Sequence, residues 1–304
     1  MSTDLMPLKR RFVTADVFTD QRFGGNPLAV ILDAVGLTAG QMQAIAAEFR
    51  YSETTFVLPP LDPGHTAQVR IFTATKEVPF AGHPNIGTAI VLARVAEAGG
   101  APAAGQLTFE ETAGIVPVSV MRTGAAITGA ELTAPEPLSL GARVMRADAA
   151  ACLGLAPDDI DTTQHPPQVL SVGLAFLVVE LRSRSALARA RPDAAAHARE
   201  LPSVGTDSVY AYVRGDEAGH LHARMFAPLD ACPEDPATGS AAGATAAMLA
   251  TLQSESDAEC SWRIDQGVDM GRPSRIVART CKRLGQLRSV HVAGNAVQVM
   301  SGLL

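Results

Sequence analysis

Gly82-His83-Pro84-Asn85-Ile86-Gly87-Thr88-Ala89 and, half a chain later, Glu234-Asp235-Pro236-Ala237-Thr238-Gly239-Ser240-Ala241 decide the reading of this sequence. Aligned on His83 and Asp235, 152 residues apart in a chain of 304, both give a polar residue, Pro, two residues, Gly, a hydroxyl residue and Ala. Each follows an Arg-apolar-Phe strand, Arg70-Ile71-Phe72 in the first half and Arg224-Met225-Phe226 in the second. Each leads into a run of small apolar residues. A likeness at that spacing indicates an internal duplication.

The runs that follow, Ile86 to Ala93 and Gly239 to Leu249, read as helices rich in Ala, Gly, Ile and Leu. A helix that is apolar all round is buried all round, and a sheet rolled around it meets that need. The expectation is an α+β fold of two similar domains, residues 1–134 and 135–304, each a mostly antiparallel sheet around a central helix, with the active site in the cleft between them. The boundary falls at Ala134-Pro135-Glu136-Pro137, where two prolines interrupt regular structure. The final strand is expected to pair with the first domain. A chain of 304 residues suits two domains of about 150 residues each.

Periodicity places strands at 11–18, 28–32, 52–58, 68–73, 106–111, 115–121 and 127–133. Gly24 to Pro27 reads as a turn. Thr38 caps a helix that runs to about Phe49 and turns Met42, Ile45, Ala46 and Phe49 to one side. Pro84 opens a helix to about Glu97. In the second half, helices are expected near 146–154 and over 186–200, broken at Pro192, and from Pro236 to about Leu252. Strands are expected over 169–181 (a pair), 209–213, 221–226, 260–266, 274–279 and 289–300.

Composition bounds the function. Net charge is −6, which leaves no basic footprint for nucleic acid or for an anionic membrane. No apolar run reaches the roughly 18 residues of a membrane span. Met1 to Met6 lacks the apolar core of a signal peptide, so a cytoplasmic protein is expected. Cys152, Cys232, Cys260 and Cys281 form neither a CxxC pair nor a metal spacing, and they read as reduced and buried. Cys232 lies three residues before Asp235, close enough to stand near a site.

Asp235-Pro236 is a helix-start signal, because Asp caps free N–H groups and Pro suits the first turn. His83-Pro84 has the same form, yet His caps poorly, which hints at another task. If the two helix N-termini face one cleft, they make a receptor for a carboxylate or a developing enolate. Gly82, Gly87 and Gly239 let a ligand approach the backbone. Glu53 sits in the β-branched, aromatic strand Tyr51 to Val57, where either solvent or a dry cleft is open to it. A dry cleft would raise its pKa and suit it to acid/base work.

Ser52-Glu53-Thr54-Thr55-Phe56, Asn26 to Val30, Phe80 to Ala89, Glu234 to Ala244 and Asp265 to Ser274 together resemble the phenazine-biosynthesis PhzF-like isomerases, over nearly the whole chain. The resemblance implies the diaminopimelate-epimerase-like fold. It makes Glu53 the proton-shuttling carboxylate and His83 and Asp235 its catalytic partners. Ser240, Gly82 and Gly239 become substrate-binding positions, with Ser52, Asn26 and Thr238 as further candidates in the same motifs. Ala74 and Asn85 depart from the residues frequent at those positions, and Asn85 could alter the polarity of the pocket.

Racemases of the wider superfamily carry a Cys at each helix start, whereas here those positions read as His83 and Asp235. A single Glu returning a proton to the same face is allylic isomerisation, which needs neither metal nor organic cofactor. The expectation is therefore a cofactor-independent isomerase acting on a small carboxylate-bearing substrate, cyclic ones included, as trans-2,3-dihydro-3-hydroxyanthranilate isomerase does. The alternatives are a racemase or epimerase of an amino or hydroxy acid, and a non-catalytic small-molecule-binding protein on the same fold. The resemblance also implies a homodimer.

Overall fold

The computed structural model describes residues 9–230 and 233–304. In chain order the elements of the first half are β1 (Arg11–Val17), β2 (Asn26–Ile31), α1 (Ala39–Phe49), β3 (Glu53–Leu58), β4 (Ala67–Phe72), β5 (Glu77–Val78), α2 (Gly82–Ala98), β6 (Gln106–Glu111), β7 (Gly114–Thr123) and β8 (Ala126–Thr133). Then follow β9 (Ser139–Arg143), α3 (Arg146–Cys152), β10 (Gln168–Ser171), β11 (Ala175–Glu180), α4 (Arg184–Arg189), α5 (Ala194–Glu200), β12 (Val209–Arg214) and β13 (His220–Phe226). The last are β14 (Glu234–Asp235), α6 (Gly239–Thr251), β15 (Ala258–Gln266), β16 (Ser274–Arg283) and β17 (Gln286–Leu303).

The fold is α+β, built on a mixed sheet that is mostly antiparallel. Among the described residues, parallel pairing joins β2 to β3, β4 to β6, β11 to β12 and β13 to β15. The long β17 ties the halves of the chain together. It pairs antiparallel with β16, then through His291–Asn295 with β8, then through Ala296–Leu303 with β1.

The duplication is visible in side chains. Glu77 on β5 faces Phe72, and Glu234 on β14 faces Phe226. Arg70 grips Glu77 with Nε and Nη2 at 2.7 and 2.6 Å, and Arg224 grips Glu234 at 2.7 and 2.8 Å. Each guanidinium also lies over the Phe two residues on, at 5.2 and 4.8 Å from the ring centre. The paired Arg-apolar-Phe strands thus anchor the loops that lead into α2 and α6.

The register differs from the sequence alignment. Helix α2 starts at Gly82 and α6 at Gly239, each five residues after its gripped Glu. The equivalent of His83 is therefore Ser240, and that of Asp235 is Val78. The Pro-x-x-Gly likeness pairs segments that occupy different places, since Pro84 lies inside a helix and Pro236 lies before one. Gly24 to Pro27 is also corrected, because Asn26 and Pro27 already belong to β2.

Both helices are buried as their composition requires. All residues of α2 from Gly82 to Val91 are buried, and so are those of α6 from Gly239 to Ala250. One continuous core runs from Ile86, Ala89 and Ile90 of α2 to Ala241, Ala244 and Leu249 of α6, with Phe18 and Val292 among its members. Helix α1 begins as its sequence indicates: Thr38 Oγ1 accepts from Gln41 N, and Gln41 Oε1 accepts from Thr38 N. Its Met42 and Ala46 are buried, while Ile45 and Phe49 are partly covered. Cys152 is buried, but Cys260 and Cys281 are only half-buried, and all three are free. Cys232 lies outside the described residues, as does Met1 to Met6. No helix among the described residues is long and apolar enough to cross a membrane.

Gly294 on β17 lies against the Phe18 ring, where an added Cβ would come within 2.2 Å of Cδ1. Phe18 is fully buried, so the ring has little room to yield. Gly294→Ala is expected to destabilise the protein by about 1–3 kcal/mol, measured as a fall in the urea midpoint.

Candidate active site

The starts of α2 and α6 meet head to head. A Cβ built on Gly82 would lie 3.4 Å from Ser240 N and 3.7 Å from the Gly239 backbone. Both helices therefore aim their first N–H groups and positive dipole ends at one place. That place is a pocket of about 480 Å³, lined from the first half by Ser52, Glu53, Gly82 and His83 and from the second by Asp235, Thr238, Gly239 and Ser240.

Neither named polar residue caps its helix. Ala81 and Thr238 hold the cap positions, and neither side chain bonds the turn that follows. His83 is the second residue of α2, where its imidazole is free for other work. Asp235 lies on β14, and the helix begins after Thr238 rather than at Pro236. Gly87, packed against Leu28 and Val17, and Asn85, whose Nδ2 donates to the Ala81 carbonyl, do not line the pocket, and neither does Asn26. It is fully buried behind Asp235 and donates from Nδ2 to Asp235 Oδ1 at 2.8 Å and to the Ala237 carbonyl at 2.9 Å.

Two of the carboxyls that line the pocket, Asp235 and Glu53, stand in opposite conditions. Asp235 Oδ1 accepts from Asn26 and from Ser52 Oγ (3.0 Å), and its Oδ2 accepts from Thr238 Oγ1 (2.6 Å). Burial pushes the Asp235 carboxyl up to about 6, against the pull of these donors. Glu53 Oε2 is buried without a hydrogen-bond partner. Burial, followed by the negative charges of Asp235 and Asp230, raises its pKa well above the usual carboxylate range. The hydrogen-bonded Asp235 thus ionises first, and Glu53 retains its proton longer.

His83 Nδ1 stands 3.4 Å from Glu53 Oε2. Burial pushes the imidazole down to about 3, so His83 is neutral at physiological pH. Its Nε2 is buried and has no hydrogen-bond partner. One unsatisfied oxygen and one unsatisfied nitrogen thus lie at the N-terminal end of α2, in a site equipped to exchange a proton with a bound molecule.

Sequence reasoning missed Lys76, Asp207 and Asp230 at the pocket wall. Lys76 spans from the β4–β5 loop to Asp230 (3.4 Å) and Asp207 (3.9 Å) of the second half. These residues sit in loops with no periodic pattern; the only sequence signal is the nearness of Lys76 and Asp230 to the Arg-apolar-Phe strands. Two other features do not compete with the pocket. His220, His222 and Asp265 bring potential metal-ligand atoms within 4.8 Å of one another. However, Arg263 donates to His220 Nδ1 at 2.9 Å, which leaves the His220 proton on Nε2 to serve Asp265 Oδ2 at 2.8 Å. A further depression of about 570 Å³ beside β4 and β6 is lined by Asp62, Arg70 and Glu110. Arg70 is committed to Glu77, and Glu110 accepts from Leu61 N, Asp62 N and His65.

A mixed α+β fold thus brings a buried carboxyl and a buried imidazole together at paired helix N-termini, and relatives of the chain are isomerases. The chain belongs to the phenazine biosynthesis-like protein family, whose sequence profile matches residues 15–302. It is 42% identical over 303 residues to an uncharacterized isomerase of Mesorhizobium japonicum, covering 97% of this chain and 98% of that one. It is 37% identical over 298 residues to a trans-2,3-dihydro-3-hydroxyanthranilate isomerase of Pseudomonas chlororaphis, covering 96% and 98%. Among solved structures it is similar to a PhzF-family phenazine biosynthesis protein of Bacillus anthracis, with a TM-score of 0.85, 26% identity and coverage of 98% and 99%.

The raised Glu53 pKa has a consequence for stability. The unfolded chain releases the Glu53 proton near the ordinary value of about 4.3, whereas the folded protein releases it later. Folding stability is therefore lost as pH rises from about 4 through the folded-state value. Glu53→Gln is expected to melt at least about 2 °C above the wild type near pH 8 and level with it near pH 3.5, by calorimetry at both pH values.

Proposed function

We propose that the protein is a cofactor-independent isomerase that moves one proton on a small carboxylate-bearing substrate, with Glu53 as the sole acid/base. The observation that carries this reading is Glu53 Oε2, buried and without a hydrogen bond, 3.4 Å from His83 Nδ1 in a pocket closed by two helix N-termini. A pocket of about 480 Å³ suits a small ring compound.

Each group has a task set by its surroundings. Glu53, as carboxylate, removes a proton from an activated C–H. A raised pKa narrows the free-energy gap to that carbon acid, which eases the transfer. The electrons delocalise toward the substrate carboxylate, which lies against the N–H groups of Gly82, Gly239 and Ser240. Those groups are oriented before the charge arrives, so they stabilise the anion without reorganising. Neutral His83 hydrogen-bonds a polar substituent and does not compete as a base. Glu53 then returns the proton to a conjugated carbon on the same face.

Racemisation would need a second base on the opposite face. Of the other carboxyls that line the pocket, Asp207 and Asp230 face Lys76, and Asp235 accepts hydrogen bonds from Asn26, Ser52 and Thr238. Its negative charge is satisfied, which makes it a holder of substrate donors rather than a proton acceptor. This favours one base over two.

The names of the relatives make trans-2,3-dihydro-3-hydroxyanthranilate the first compound to test. Turnover in D₂O is expected to place a single deuterium at the new C–H position of the product. Glu53→Gln should slow the reaction by at least about 10³-fold. Full activity of that variant, or inversion of a stereocentre without movement of a double bond, would refute the one-base reading.

A further inference from the structure

The segment Gln266-Gly267-Val268-Asp269-Met270-Gly271-Arg272 does not line the pocket, yet two of the three side-chain donors to Asp235 are held from it. Gln266 Nε2 donates to the Asp235 carbonyl at 2.8 Å and to Thr238 Oγ1 at 3.0 Å, while its Oε1 accepts from Thr238 N at 3.1 Å. Thr238 Oγ1, so held, spends its own proton on Asp235 Oδ2. Gly267 has φ +73°, and a Cβ there would meet the Pro236 carbonyl at 2.6 Å, so the segment lies flush against the Asp235–Thr238 turn.

Arg272 reaches the other side of Asp235. Its Nη2 donates to Asp16 Oδ1 at 2.6 Å and to the Gly24 carbonyl at 2.7 Å, and its Nε donates to the Gly25 carbonyl at 2.8 Å. The neighbouring Pro273 carbonyl accepts from Gly25 N at 3.1 Å. Asp16 Oδ2 accepts from Phe23 N at 2.7 Å, so the whole loop from Phe23 to Gly25 is suspended from this one guanidinium and its carboxylate. The next residue is Asn26, whose Nδ2 donates to Asp235 Oδ1. A planar fork with donors in fixed directions meets three acceptors at once; a lysine ammonium has no matching fork.

We propose that Arg272 and Gln266 are positioning residues for Asp235, with Arg272 acting through the Gly24–Asn26 loop and Gln266 through Thr238. Between them they deliver two of the three side-chain hydrogen bonds to the Asp235 carboxylate, and Ser52 supplies the third. The inference rests on Asp235 as a carboxylate of the proposed site, and it does not depend on the substrate.

The test therefore reads Asp235 directly in the ligand-free protein. Its carboxyl carbon is followed by ¹³C NMR against pH, with the signal assigned by its loss in Asp235→Asn. Asp235 faces Glu53 of β3, with Glu234 beside it and the Tyr210 hydroxyl nearby; all of these are left intact. Arg272→Met is expected to raise the Asp235 midpoint by about one unit, a tenfold change in its ionisation constant, because the Asn26 donor is released. Asn26→Ser should raise it by a similar amount. The double variant should match Asn26→Ser alone, since both changes remove the same bond. Gln266→Leu should raise the midpoint independently, and so add to either.

Asp16 is buried, and Arg272→Met removes its cation; should that variant fail to fold, Arg272→Lys carries the same readout with a smaller upward shift. An unmoved Asp235 midpoint in the folded Arg272 variant, or a shift that adds to that of Asn26→Ser, overturns the proposal. Either result leaves the acid/base reading of Glu53 standing, because deuterium incorporation tests that separately.

Discussion

Two helix N-termini pressed against each other are the arrangement on which the rest of this structure depends. Each presents unsatisfied N–H groups and the positive end of a dipole, so bringing two together is unfavourable unless negative charge lies beside them. The Asp235 carboxylate stands there, held by Asn26, Ser52 and Thr238. A Cβ on Gly82 would rest in ordinary contact with Ser240 N, whereas one on Gly239 would press on Phe18 and Val292 of the core. The surrounding sheet provides the stability, because both helices are sheathed in apolar residues and one core runs through the two. The continuous β17 joins strands of both halves, so the two helix starts hold their places within a single hydrogen-bonded framework.

Within that junction the two carboxyls are separated by their hydrogen bonds. Both are buried, and both are pushed upward by desolvation. Asp235 is drawn back by Asn26, Ser52 and Thr238, whereas the Glu53 oxygen nearest His83 has no donor. Environments that drive two like groups apart are how one site holds an acid and an anion together. His83 completes the contrast, since burial without a strong acceptor keeps its ring neutral beside Glu53. The arrangement costs folding stability as pH rises above the ordinary carboxylate range.

Much of this was legible in the chain. The apolar helices announced their burial, Thr38 and Gln41 marked the start of α1, and the Arg-apolar-Phe strands marked the loops before α2 and α6. The likeness of His83-Pro84 to Asp235-Pro236 pointed to the right pair of helices through the wrong correspondence. Proline suits both a first helical turn and the extended backbone before a helix, and local spacing does not tell the two apart. The Arg70–Glu77 and Arg224–Glu234 grips reveal the true register, and they depend on strand pairing that no local pattern carries. Asn26 looked like a ligand-binding residue because it sits in a motif, yet its amide is spent on Asp235. Lys76 and Asp230 were invisible because their meeting is set by how distant loops converge.

The chemistry proposed for the pocket turns on the order in which Glu53 and Asp235 release their protons. The most direct measurement is a ¹³C NMR titration of the Glu53 side-chain carboxyl in the ligand-free wild-type protein, with Asp235 followed in the same samples. The account predicts a Glu53 midpoint well above the ordinary carboxylate value of about 4.3 and above that of Asp235. A Glu53 midpoint at the ordinary value, or one below that of Asp235, would contradict it.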